Sequence, residues 1–337
     1  MATFNFQVVD ATRSLARYKM ALEGVSGSGK TLSALLLGYG FLKAKFPKLT
    51  DAQIWQKICV IDTENGSGVL YKGKRVGSTV IGTYKYIKFP PPFSAENYRA
   101  AIDAAEAAGT EFLIIDSFSH AWSGVGGALD KQGNIAARSG NSYTAWRDVT
   151  PEHNALVDKI LQCNMDVCVT MRTKNEYVIE KNDKGKSVPR KVGTAPIMRD
   201  GVEYEFTTVL DIDSRHVASS SKDRTGLFDG QFEVLEPKHG QMMYQWLKDS
   251  ADGADPAPVE TPKVEDADTD TDTGADPEAF TFMMDAVDKG IRKAASTMDK
   301  AALTAEIKAI TGGVANYKKI TDMDTLNALY ERFAKED

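Results

Sequence analysis

Eight residues near the start of the chain, 24–31, form its most specific chemical motif. They read Gly-Val-Ser-Gly-Ser-Gly-Lys-Thr and fit the pattern G-x-x-x-x-G-K-[ST], between a strand-like run and a helical pattern. Glycines let the backbone N–H groups of such a loop turn toward a phosphate, and the helix N-terminus adds partial positive charge. The lysine of this pattern reaches the β- and γ-phosphates, and the last hydroxyl binds Mg²⁺. The motif predicts an ATP-binding loop, here called the P-loop, with the contact residues Gly24, Ser26, Gly27, Ser28, Gly29, Lys30 and Thr31.

Two apolar runs downstream end in carboxylates that suit the same chemistry. The run Phe-Leu-Ile-Ile-Asp ends at Asp116, which is predicted to bind Mg²⁺ together with Thr31. The run Ile-Cys-Val-Ile-Asp-Thr-Glu ends at Glu64, which is placed to orient or deprotonate an attacking water. Taken alone, an Asp at a strand end usually marks a turn, and Asp62 with Glu64 more often caps a loop. Downstream of a P-loop, the two runs predict an ATP-hydrolysing site.

These side chains need a sheet that brings strand ends together. Apolar strand-like runs are predicted at residues 18–23, 58–62, 112–116 and 166–170. Helical patterns alternate with them at residues 31–43, 98–108 and 151–162. Short apolar strands alternating with helices indicate an α/β fold with a mostly parallel sheet covered on both faces. Hairpins and strands near the far edge of the sheet are predicted at residues 177–180, 186–192, 205–213 and 230–234.

Charge and composition divide the 337 residues into three parts. Residues 251–279 carry ten acids and one lysine, no aromatic side chain and two large aliphatic ones, so a disordered acidic linker is predicted there. Residues 1–250 form the predicted ATPase domain and carry a net charge of +3, although the whole chain carries −6. Residues 280–337 are predicted to form a small helical module with helices at 280–295, 300–310 and 324–334.

Cysteine usage and hydropathy bear on the compartment. The chain has three cysteines without CxxC spacing, and two of them lie in apolar runs, which indicates buried thiols in a reducing environment. No apolar run approaches the roughly 18 residues that a membrane span needs. We therefore expect a cytoplasmic protein without a membrane partner.

In order and spacing, the three motifs resemble the RecA/RadA-type recombinase ATPase core. The resemblance implies that Glu64 activates water and that Asp116 is the Mg²⁺-binding aspartate. It also implies a γ-phosphate sensor after the next strand, where Thr170 and Arg172 are the candidates, although the family's usual Asn-Gln is absent.

A further resemblance concerns the late segment Lys-Asp-Arg at residues 222–224. RecA-like rings and filaments often place such a cationic pair in the neighbouring subunit's ATP site. The resemblance implies that Lys222 and Arg224 act in trans and that the protein forms a homo-oligomer, as a ring or filament. A plain solvated turn is the alternative.

Over residues 15–235, the chain looks most like phage-encoded RecA-like ATPases that promote single-strand annealing, the Sak-type group. That resemblance rests on the order of the motifs, a helix bearing Trp146, the segment 196–213 and the cationic pair. It implies a protein of the host cytoplasm with single-stranded DNA as its partner.

Two long loops after strand ends are the predicted DNA contacts. The first, residues 120–143, is glycine-rich and contributes Lys131 and Arg138 besides His120, Trp122 and Tyr143. The second, residues 172–191, holds seven bases against three acids. Cations that follow phosphates and aromatic rings that stack on bases hold single strands, whereas exposed lysines often serve solubility alone. The DNA-contact residues predicted in the second loop are Lys174, Lys181, Lys184, Lys186, Arg190 and Lys191.

The leading hypothesis is a DNA-dependent ATPase of recombination that anneals or exchanges strands. Its alternatives are a helicase or helicase loader, a small-molecule kinase, and a DNA-binding scaffold that does not hydrolyse ATP. The helical tail is predicted to bind a replication or recombination protein.

Overall fold

The computed structural model describes residues 16–140, 142–181, 187–249, 277–314, 316–320 and 323–335. The chain forms two compact units, Met1–Thr173 with Pro196–Lys263, and Lys174–Ala195 with Val264–Asp337. The predicted linker falls almost wholly on residues 251–276, which lie outside the described residues.

The first half of the chain alternates strands and helices as predicted. Its elements are β1 (Lys19–Gly24), α1 (Lys30–Lys45), α2 (Asp51–Trp55), β2 (Ile58–Asp62), β3 (Arg75–Val76), β4 (Thr79–Val80), β5 (Lys85–Lys88), α3 (Ala95–Ala107), β6 (Phe112–Asp116), α4 (Ser119–Ser123), α5 (Ala128–Ser139) and α6 (Ser142–Gln162). The second half continues with β7 (Asp166–Lys181), β8 (Ser187–Pro196), β9 (Thr208–Ile212), β10 (Val217–Asp223), β11 (Glu233–Val234), α7 (Pro237–Asp249), α8 (Pro277–Ala295), α9 (Lys300–Ile310) and α10 (Met323–Phe333).

The main sheet has the strand order β11-β10-β9-β1-β7-β6-β2-β5, with β8 paired to β7 beside this path. The strands from β9 through β5 in that order are parallel, and β10 and β11 add antiparallel pairs at one edge. The carboxyl ends of β1, β2 and β6 therefore lie at the same end of the sheet as residues 170–172 of β7. The predicted α/β fold with a mostly parallel sheet is confirmed.

Two apolar layers cover the sheet because side chains alternate between its faces. Met20 and Leu22 of β1 pack with α1 on one face, and Ala21 packs toward α3 and α6 on the other. On the first face α7 lies against α1 at Gly40, where a Cβ atom would stand only 1.9 Å from the Pro237 carbonyl oxygen. Glycine at that position thus permits close helix contact.

Two of the predicted loops have regular structure instead. Residues 120–143 contain the end of α4, the whole of α5 and the start of α6, so the predicted irregular loop is largely helical. Residues 172–191 lie mainly in the hairpin of β7 and β8. This hairpin starts from a central strand rather than from the predicted far edge, because β7 runs on well beyond its last pair with β6 at Val169, up to Lys181.

The described residues after 276 contain the α-helices α8, α9 and α10, close to the predicted spans. Met283, Val287 and Ile291, one turn apart on α8, form a small core with residues of α9 and α10 such as Leu303 and Leu326. No helix of the described residues is long and apolar enough to cross a membrane.

Candidate functional site

The P-loop connects β1 to α1 through backbone that favours glycine. Gly27 and Gly29 have φ of 81° and 96°, in the left-handed region where residues with a side chain are strained. Gly29 is the N-cap of α1. At Gly24 a Cβ atom would stand 2.4 Å from the carbonyl oxygen of Ile212 on β9. Glycine is thus required by conformation at one end of the loop and by close packing at the other.

Lys30 is the first residue of α1 and its ammonium group lies inside the loop. Its Nζ donates to the carbonyl oxygens of Gly24 and Val25, at 2.7 and 2.8 Å. Burial lowers the pKa of Lys30, while the carboxylates of Asp116 and Glu64 act in the opposite direction. The lysine is therefore in place to meet phosphate oxygens in a site screened from water.

Asp116 at the end of β6 lies under the P-loop and is only 2% exposed. Its two carboxylate oxygens accept separate hydroxyl hydrogen bonds, Oδ2 from Thr31 and Oδ1 from Thr170, each at 2.6 Å. Burial raises the pKa of Asp116, and these two hydroxyls lower it. The two threonines thus favour the ionised carboxylate that a metal ligand must be.

Two acidic residues at the end of β2, Asp62 and Glu64, have different hydrogen-bond partners. Asp62 caps a turn, because its Oδ1 accepts the Glu64 N–H at 2.6 Å and its Oδ2 accepts the Gly68 N–H at 3.0 Å. Tyr86 also donates to Oδ2, at 3.0 Å. The loop-capping interpretation therefore fits Asp62.

Glu64 instead points toward β7. Its Oε1 accepts two hydrogen bonds from Arg172, from Nε at 3.0 Å and from Nη2 at 2.8 Å. Arg172 pairs with Gly24 in the register of β7 and β1. Both candidates for the phosphate sensor thus reach the site from the same strand, Thr170 through Asp116 and Arg172 through Glu64.

Sequence reasoning missed a polar junction behind these carboxylates. Thr63 donates its backbone N–H to the Asp116 carbonyl oxygen at 2.7 Å, and its Oγ1 accepts the Ser117 N–H at 2.8 Å. His120 Nδ1 lies 2.6 Å from the same Oγ1, and its ring stacks on Phe93. His120, which the sequence suggested as part of a DNA-binding loop, is therefore bound at the strand ends. The only signal for this in the sequence is that Thr63 follows the β2 strand end.

Lys222 lies on β10 and Arg224 directly follows this strand, which β9 separates from β1 in the sheet. Both donate to the Tyr204 carbonyl oxygen, Arg224 at 3.0 Å, and Lys222 also donates to the Glu203 carbonyl oxygen at 3.1 Å. Burial and then the charge of Arg224 lower the pKa of Lys222. The pair forms one cationic patch with Tyr204, whose side chain is exposed.

A second buried acid lies at the end of β1. Glu23 is 4% exposed and pairs in register with Asp211 of β9. Burial, together with the charges of Asp211 and Glu203, raises the pKa of Glu23 to about 8. Its Oε1 is buried without a hydrogen-bond partner. Burial and the neighbouring acids thus favour the protonated form of Glu23.

The predicted DNA contacts have different surroundings. Lys131 on α5 makes an ion pair with Glu152 of α6, at 2.5 Å, and Arg138 is exposed on α5. Lys174 is exposed where the hairpin begins. Lys181 lies on β7, and Arg190 and Lys191 lie on β8. Lys184 and Lys186 fall outside the described residues.

The donor set fits Mg²⁺. Thr31 offers a hydroxyl and Asp116 a carboxylate, which are the hard oxygen ligands that Mg²⁺ takes beside phosphate oxygens and water. Within the described residues, no group of three or more His, Cys, Asp or Glu side chains could hold a metal by itself.

The fold has a parallel sheet and a glycine loop that leads into a helix, and a buried aspartate lies next to this loop. These features together define a P-loop nucleoside triphosphatase. The family model for the AAA domain matches residues 16–244, more than half of the 337 residues. The chain therefore belongs to the AAA domain family of P-loop ATPases. No curated protein matches it.

Proposed function

We propose that this protein is an ATP-dependent single-stranded-DNA-binding protein of recombination that anneals or exchanges strands. It hydrolyses ATP to ADP and phosphate at the P-loop, and a neighbouring subunit completes the site. The alternative functions are a helicase, a helicase loader, a small-molecule kinase and a DNA-binding scaffold that does not hydrolyse ATP.

The course of β7 carries this proposal. One strand holds Thr170 on Asp116 and Arg172 on Glu64, and then continues into the β7–β8 hairpin. The sequence of that hairpin, with its turn, is rich in lysine and arginine. Cations on such a hairpin suit the phosphates of a single strand, and the same strand gives a route from a DNA contact to the hydrolytic site.

The proposed hydrolytic step uses side chains at the P-loop and at the strand ends. Water attacks the γ-phosphorus, the bond to the β–γ bridging oxygen breaks, and ADP leaves. Glu64 accepts the proton of the attacking water. The Lys30 ammonium group balances the negative charge of the phosphates. Arg172 holds the Glu64 carboxylate through hydrogen bonds to Oε1. Mg²⁺ bound at Thr31 and Asp116 would supply charge neutralisation at the β- and γ-phosphates.

Glu64→Gln tests the base. Its amide keeps the shape and the acceptor oxygen for Arg172 but takes up no proton, so we expect the ATP turnover rate to fall about 100-fold or more with ATP affinity retained. Turnover is measured with and without single-stranded DNA. Normal turnover by the variant would overturn the assignment of Glu64, and a wild-type rate unaffected by DNA would overturn the recombination proposal.

The hairpin is tested by removing two of its cations, Lys174 and Lys191, as a double alanine variant. We expect weaker binding of an oligonucleotide and a shallower salt dependence, by about 0.7 in log–log slope for each phosphate that is no longer neutralised. The matched control removes Lys72 and Arg75, which are exposed in the segment between β2 and β5. Equal reductions in the two double variants would contradict a specific role of the hairpin.

The intersubunit site is tested by mass measurement with ATP. A protein that stays monomeric at the concentrations used for turnover would exclude a role of Lys222 and Arg224 in trans. If the protein assembles, Arg224→Ala should lower turnover while leaving the affinity of the monomer for ATP unchanged.

A further inference from the structure

A histidine in the turn between β9 and β10 contacts the P-loop. His216 Nδ1 lies 2.8 Å from the carbonyl oxygen of Ser28. A carbonyl oxygen can only accept, so Nδ1 carries the proton and donates it. The same ring lies beside Gly29, where a Cβ atom would stand 3.3 Å from Nδ1. His216 therefore meets the loop where its turn becomes helix α1.

The backbone of His216 is held in an uncommon conformation for this contact. Its φ is 69°, in the left-handed region that a residue with a side chain seldom adopts. Asp213 fixes the turn, because its Oδ1 accepts the N–H groups of Arg215 and Val217 at 2.8 and 2.9 Å. The His216 N–H donates to the Asp213 carbonyl oxygen at 3.0 Å. The turn thus directs an exposed imidazole onto the backbone of the P-loop.

The planarity of the peptide bond gives this contact a consequence for nucleotide binding. In a trans peptide unit the C=O and the N–H point in opposite directions. Holding the Ser28 carbonyl oxygen toward His216 therefore turns the Gly29 N–H away from His216. A flip of this peptide would exchange the two and present an oxygen where the loop must offer donors to phosphate.

We propose that His216 is a positioning residue that keeps the Ser28–Gly29 peptide in the orientation that binds phosphate. It acts through the loop and does not take part in the chemical step. The inference rests on one part of the proposed function, ATP binding at the P-loop, and it does not depend on DNA. Removal of this hydrogen bond should weaken ground-state and transition-state binding equally, so KM rises while kcat is unchanged.

Three variants isolate the hydrogen bond. His216→Gly removes the imidazole and accepts positive φ without strain. His216→Asn also tolerates positive φ and offers an amide N–H. Ser214→Gly is the matched control, because Ser214 is an exposed residue of the same turn. The dissociation constant of a fluorescent ATP analogue is measured without DNA, together with kcat, KM and the melting temperature.

We expect His216→Gly to weaken binding and raise KM about 3- to 10-fold, as for one neutral hydrogen bond, with kcat within about twofold of wild type. His216→Asn should recover most of the affinity, and Ser214→Gly should match wild type. Three outcomes would overturn the role of His216 and leave the proposed function standing. They are wild-type affinity in His216→Gly, an equal loss in Ser214→Gly, and no recovery in His216→Asn. A wild-type protein that binds no ATP would overturn the proposed function and this role together.

Discussion

Two buried carboxyl groups at the ends of central strands, those of Asp116 and Glu23, differ in their hydrogen-bond partners. Asp116 on β6 accepts one hydroxyl hydrogen bond on each oxygen, from Thr31 and Thr170. Glu23 on β1 lies beside Asp211 and has a buried oxygen without a partner. Burial raises the pKa of both, yet only Asp116 has donors that favour its charged form. Burial therefore acts on both groups alike, and the two hydroxyl donors distinguish Asp116 from Glu23.

The largest difference between the two groups should appear in ATP hydrolysis. Asp116→Asn removes the charge that would hold Mg²⁺, and each threonine hydroxyl can donate to or accept from the new amide, so the fold should be kept. We expect turnover to fall about 100-fold or more, since metal-ion stabilisation of phosphoryl transfer contributes several kcal/mol. Glu23→Gln is the control in the same assay and should remain within about threefold of wild type. Similar reductions in both variants would show that the two carboxyl groups do not differ in this way.

The positions of Asp116 and Glu64 at strand ends were predictable because each is marked by its own local sequence pattern. Each predicted group follows a strand that is continuous and apolar, and the carboxyl ends of parallel strands meet at one edge. Strand β2 (Ile58–Asp62) and strand β6 (Phe112–Asp116) have the predicted bounds, and Glu64 and Asp116 follow from them. The AAA domain match supports the ATPase core, whereas the roles of the site residues, the DNA contacts and the trans residues stay predictions.

The contacts of Glu23 and His216 were not predictable from the sequence in the same way. Glu23 meets Asp211 only through the register of two strands that are far apart in sequence, and His216 meets Ser28 across 188 positions. No local pattern carries such pairings. The predicted loop at residues 120–143 was wrong for another reason, because Gly124, Gly127 and Gly140 cap helices α4 and α5 rather than forming an irregular chain.

An effect of intermediate size is expected on stability. An unfolded Glu has a pKa near 4.5, whereas that of folded Glu23 is raised to about 8, so the folded state binds more protons between these values. The stability of the wild type should therefore fall as the pH rises from about 5 to 8. Glu23→Gln has no proton to lose, and we expect it to gain about 1–3 kcal/mol relative to wild type between pH 5 and pH 9.

Urea denaturation at the two pH values measures this difference. Glu96→Gln, which removes an exposed carboxyl group from α3, is the matched control and should show no such gain. A Glu23→Gln variant whose stability relative to wild type is the same at both pH values would mean that Glu23 is ionised in the folded protein.

The smallest expected effect concerns Arg172, which joins the Asp116 side of the site to the hairpin. The ion pair with Glu64 is partly solvent-exposed, with 42% of the Arg172 side chain and 27% of the Glu64 side chain accessible. Such pairs contribute about 0–1 kcal/mol, so Arg172→Gln should leave the melting temperature nearly unchanged. If Arg172 only orients Glu64, turnover falls a few-fold and Arg172→Lys, which keeps the charge but not the paired N–H groups, falls comparably. A reduction as large as that of Glu64→Gln, with partial recovery in Arg172→Lys, would instead place the Arg172 charge on the transferred phosphate, as expected of a γ-phosphate sensor.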